Sequence, residues 1–80
     1  MNRYVATFHT HLSALLTCRT LTGLGLEARM APVPRQLSSS CGTCVYFTAD
    51  DPCLSHMDED SEAVYEQQEQ TYKQIWAEAQ

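Results

Sequence analysis

The sequence predicts a small α+β fold in the order β-α-β-β-α, closing with a long acidic helix. Three observations carry this. Residues 3–8 alternate as a strand does and run straight into a helix start at Thr10. Two further strand-like runs lie at 26–31 and 44–48. From residue 58 to 80 the chain is rich in Asp, Glu and Gln at helical spacing.

In the first strand Tyr4, Ala6 and Phe8 face one way, Val5 and Thr7 the other. Thr10 is the helix N-cap, because its hydroxyl can accept from a free first-turn amide. Ala14, Cys18 and Leu21, with Leu15 beside them, then form one apolar stripe, and Gly23 and Gly25 end the helix. Leu26, Ala28 and Met30 alternate with Glu27 and Arg29 until Pro32-Val33-Pro34 stops the second strand. Cys44-Val45-Tyr46-Phe47-Thr48 is the third strand, and Asp50-Asp51-Pro52 turns the chain. Asp58, Glu59 and Asp60 suit the positive end of a helix dipole. Tyr65, Tyr72, Ile75 and Ala79 follow near one stripe with Trp76 at its edge, interrupted at Gln68. One more strand would complete a ferredoxin-like sandwich, so the expectation is that sandwich without its final strand. All of it is read as a single domain over 1–80, with an α+β core at 1–50 and the acidic C-terminal helix at 58–80.

Eighty residues leave room for one modest core, and 44% apolar content is that of a globular chain. No apolar run reaches bilayer length, and Met1 to Ala6 lacks the apolar core of a signal peptide. A cytoplasmic location is therefore expected. In a reducing compartment, thiols serve as metal ligands, redox groups or nucleophiles, or are buried as small hydrophobes. Charge is uneven. Residues 1–49 carry four arginines against Glu27, whereas residues 50–80 carry nine acids against Lys73, giving −5 in all. That balance offers little to a phosphate backbone, so nucleic acid is excluded as a partner.

The chemistry-bearing segment is the loop Ser38 to Cys44. Cys41 lies in polar, glycine-containing surroundings, and Cys41 and Cys44 form a CxxC pair. Thioredoxin-type pairs open a helix after a strand, whereas this pair precedes a strand, so the oxidoreductase signal is weak. Cys44 serves equally well as a buried small residue at the start of that strand. Cys18 is core, and His9 and His11 are helix-start residues near water. A competing arrangement is Cys41-x-x-Cys44 followed, eight residues on, by Cys53-x-x-His56. Those four have the ligand types of a zinc staple, at a spacing shorter than common zinc ribbons.

The segment Ala31-Pro-Val-Pro-Arg-Gln-Leu-Ser-Ser-Ser-Cys-Gly42, leading into a strand, resembles a small family of selenium/sulfur carrier-like proteins, a domain of unknown function. The opening Tyr4-Val5-Ala6-Thr7-Phe8 and its Thr/His-rich helix start resemble that family too. The resemblance spans about residues 3–50. Members close with a short helix and a final strand, whereas this chain reads as acidic and helical beyond Asp50. The resemblance implies a carrier rather than a turnover enzyme, with no cofactor. Cys41 would hold sulfur or selenium as a persulfide or selenopersulfide, and Cys44 would assist release. From the loop's own chemistry, Arg35 would steer an anionic donor group or else stand as a solvated side chain beside a proline turn. Ser39 and Ser40 would supply hydroxyl donors or else only a flexible loop, and Gly42 would let the backbone fold toward the sulfur. A cysteine desulfurase-like donor or a selenium-metabolism protein would be the partner. Two alternatives stand beside it. One is a non-catalytic interaction module whose C-terminal helix docks on a partner or a second copy, forming a homodimer. The other is the zinc-stapled domain on Cys41, Cys44, Cys53 and His56.

Overall fold

The alternation that begins the chain builds the central strand of the molecule. In a computed structural model that describes residues 1–79, β1 (Asn2–Phe8) leads into the helix α1 (His11–Gly23). β2 (Glu27–Pro32), β3 (Thr43–Ala49), β4 (Ser61–Gln67) and β5 (Tyr72–Ala77) follow, with a single 3-10 turn at Leu54–His56 between β3 and β4. The five strands form one sheet in the order β2-β3-β1-β4-β5, and every neighbouring pair is antiparallel.

One face of the sheet carries the core. Tyr4, Ala6 and Phe8 of β1 pack with Val45, Phe47 and Ala49 of β3 and Val64 of β4, all covered by Ala14 and Leu21 of α1. Tyr4 and Phe47 stack with ring centroids 5.2 Å apart. The helix starts as its sequence requires: the Thr10 hydroxyl accepts from the Ser13 amide at 3.0 Å. It ends where Gly25 adopts a φ of 86°, in the left-handed region. Pro32 is the last residue of β2, an edge strand, where its missing N–H costs no internal ladder bond.

The expected β-α-β-β-α sandwich with a long acidic C-terminal helix does not form. Residues 61–67 and 72–77 are two strands, and α1 is the one α-helix among the described residues. Gln80, the last residue of the expected helix, lies outside them. Glu, Gln and Ala favour helix only weakly, by tenths of a kcal/mol per residue, and pairing with a central strand outweighs that preference. Burial in β4 falls on both faces of the sheet: Ala63 and Val64, successive residues on opposite sides, are both buried, while Glu62 and Glu66 are not. The interruption seen at Gln68 is the turn itself, closed by the Gln68 amide on the Thr71 carbonyl at 2.8 Å. That turn has no Gly, Pro, Asn or Asp to announce it. The acids at 58–60 start no helix of their own; Asp58 instead packs against the side of α1. Asp58 accepts from the Ser13 hydroxyl at 2.7 Å and donates its amide to Thr17 Oγ1 at 3.1 Å, giving partners to two buried hydroxyls.

Two stability outcomes follow from this packing. Leu21→Ala should cost about 2–5 kcal/mol in urea unfolding, whereas Leu12→Ala, at a position 61% exposed, should stay within about 0.5 kcal/mol. Removing residues 58–80 strips β4 from the central strand and should abolish the cooperative transition, read by circular dichroism.

Candidate functional site

Antiparallel pairing on both sides of β1 brings three chain ends together. The end of β1 at Phe8 lies beside the start of β3 at Thr43 and the start of β4 at Ser61. The loop 33–42 crosses this end of the sheet and is tied to it. The Ser39 hydroxyl donates to the Phe8 carbonyl at 2.8 Å, and the Val33 amide donates to the Gly42 carbonyl at 3.1 Å.

The β1–β4 pairing shifts by one residue between Thr7 and Phe8, so that Thr7 faces Ala63 and Phe8 faces Ser61. Glu62 is the extra residue of that bulge. A bulge redirects a side chain, and here the Glu62 carboxylate meets the loop. Its two oxygens accept from the Ser40 amide at 3.1 Å and from the Ser40 hydroxyl at 2.7 Å. Burial pushes the Glu62 carboxyl up. The Ser40 hydroxyl and amide, the Ser39 hydroxyl and the nearby His9 outweigh it and leave the group below its ordinary value. His9 follows β1 directly, its amide donating to the Asp60 carbonyl at 3.0 Å. Its Nδ1 lies 3.3 Å from Glu62 and 3.4 Å from the Ser40 hydroxyl, and its Nε2 meets the Glu78 carboxylate.

Cys41 sits half-buried in this latched loop. Its thiol donates to the Thr43 carbonyl at 3.4 Å, and its sulfur lies 3.8 Å from the Ser39 hydroxyl. Gly42, next to it, has a φ of 74°, the left-handed conformation that L side chains rarely adopt. Cys44 is different in kind. It is fully buried in β3, its thiol directed at the Pro32 carbonyl at 3.6 Å, and burial pushes its pKa up to about 11. Arg35 is exposed and engages no hydrogen bond or ion pair among the described residues.

The four residues of the zinc alternative are spread along the fold. Cys41 and Cys44 flank the entry to β3, while Cys53 and His56 come after its far end, at the 3-10 turn. The Cys53 thiol turns to its own neighbour, the Asp51 carbonyl, at 3.5 Å. These four do not gather as a ligand cluster among the described residues. All four cysteines are free. A hollow of about 540 Å³ lies away from the thiol loop, lined by Arg3, Glu27, Arg29, Tyr46, Thr48 and Gln67, with Arg29 stacked 4.5 Å over the Tyr46 ring. No helix among the described residues is long and apolar enough to cross a membrane.

The sequence singles out the loop and its thiols, reads His9 as a helix-start residue near water, and gives no sign of Glu62 or Glu78 as its partners. No local motif could have joined them, since they stand on three different strand ends. Only the register and the bulge bring them together.

Comparison with known proteins adds to this geometry. A family model described as "Putative Se/S carrier protein-like" matches residues 3–77. The uncharacterized protein YtiA of Escherichia coli (strain K12) is 29% identical over 48 residues, which is 60% of this chain and 56% of that protein. The chain thus aligns with only about half the length of that relative. No solved structure matches the chain.

The raised Cys44 thiol gives a pH prediction. Its folded value near 11 exceeds the unfolded value of 9.0, so its contribution is intact below pH 9 and lost as pH rises toward 11. Stability in urea should fall across that window by on the order of 2 kcal/mol. Cys44→Ala should flatten this part of the slope; equal slopes for the two proteins would contradict the assignment.

Proposed function

We propose that this chain, which belongs to the Se/S carrier protein-like family, holds sulfur or selenium on Cys41 and passes it on to a partner protein. The observation that carries the reading is the inequality of the two loop thiols. Cys41 is half-buried in a loop with hydroxyl and carbonyl groups around its sulfur, whereas Cys44 is sealed into the sheet and stays a neutral thiol. Loading needs an accessible sulfur nucleophile. The Cys41 thiolate attacks the terminal sulfur of a donor persulfide, the donor's S–S bond breaks, and its thiolate leaves as the new S–S bond forms. The transfer is isoelectronic and needs no oxidant or cofactor. The selenium case differs only in the atom carried.

Within this reading Ser39 sets the environment of the sulfur, and Ser40 anchors the loop to Glu62. Gly42 allows the chain to turn into β3 immediately after the thiol. Burial weighs against Cys44 as the group that attacks the persulfide, and favours packing as its role. Arg35 projects from the loop, where it can meet an anionic surface on the donor. That donor is a cysteine desulfurase-like protein or a selenium-metabolism protein, and the reading places both in the cytoplasm.

After exposure to a cysteine desulfurase and cysteine, denatured intact mass should show one added sulfur atom that reductant removes. Cys41→Ser should abolish the gain, while Cys18→Ser and Cys44→Ser retain it. Equal loading of all four cysteines, or none at any, would overturn the proposal.

A further inference from the structure

We propose that His9, Glu62 and Glu78 form a site for a divalent transition metal ion, Zn²⁺ being the first candidate. Each offers one ligand atom, and the three atoms all lie within 4.8 Å of one another. Tetrahedral ligand atoms on one Zn²⁺ at about 2.0–2.2 Å lie roughly 3.3–3.6 Å apart, so rotation of the side chains toward one another closes the set. One imidazole nitrogen with two carboxylate oxygens suits Zn²⁺ or Mn²⁺ better than the all-oxygen ions Ca²⁺ and Mg²⁺. Three protein ligands leave a coordination position open to water or a further group.

Two features separate this trio from ordinary surface acids. Its residues are fixed by backbone bonds at the ends of three strands: the His9 amide on the Asp60 carbonyl, and the Glu78 amide on the Glu62 carbonyl at 2.9 Å. Glu62 also has outer donors of the kind that orient ligating carboxylates, the Ser40 amide and hydroxyl. The two carboxylates flank the imidazole, Glu62 at Nδ1 and Glu78 at Nε2, and two negative charges against one imidazole favour a divalent cation between them. An ion there would join the ends of β1, β4 and β5, and through Ser40 it would brace the Cys41 loop. The site shares no residue with the CxxC…CxxH set and stands independently of the carrier reading.

The test uses the whole chain after dialysis against chelator. Calorimetric titration with Zn²⁺ and with Mn²⁺ should show one saturable site. His9→Gln and Glu78→Gln, each checked for native circular dichroism, should weaken it at least about tenfold. Cys53→Ser should leave it unchanged. Should either variant fail to fold, Co²⁺ on the wild-type chain decides, because it reads ligand type directly. Absorption from d–d transitions without a thiolate-to-cobalt charge-transfer band supports the His/Glu site. A thiolate band, no saturable binding, or undiminished binding in folded His9→Gln and Glu78→Gln overturns it.

Discussion

Everything at the thiol loop depends on β1 being paired on both sides. Because β3 and β4 both run antiparallel to it, their first residues must lie beside its last ones, and three separate parts of the chain meet at Phe8. The bulge at Glu62 makes use of that meeting. A regular ladder would place residue 62 opposite Phe8, facing the core as Phe8 does. The one-residue shift leaves Ser61 there, buried, and sends the carboxylate to Ser40 instead. A fold with only one helical layer can thereby position a loop with polar bonds at the open end of its sheet.

That loop separates two cysteines that the sequence presents as a pair. Strand alternation fixes the environment of Cys44, on the ladder opposite Thr7 with its sulfur out of solvent. Cys41, three residues earlier, is not yet on the ladder and keeps partial access to water. The CxxC spacing therefore says less about redox pairing than about where a strand begins: one sulfur before the sheet, one within it.

The first half of the chain was legible for local reasons. Thr10, Gly25, Pro32 and the alternation in β1 and β3 each act through the backbone nearby, and each element stands where those signals put it. The second half was not. Residues 61–77 have helix-favouring composition and a turn of Gln68, Glu69, Gln70 and Thr71 without turn-forming residues, so the long acidic helix was the natural reading. Their strand character comes from β1, dozens of residues away, which no local window contains. The site divides likewise. Cys41, Gly42 and the serines are contiguous and could be singled out, whereas the ion-pair trio exists only through register.

The most direct test of this account is native-state alkylation with iodoacetamide, resolved cysteine by cysteine by mass spectrometry. The account predicts that Cys41 is modified first and that Cys44 stays unmodified until the chain unfolds. Modification of Cys44 in the folded protein as fast as Cys41, or a Cys41 that stays silent, would contradict it.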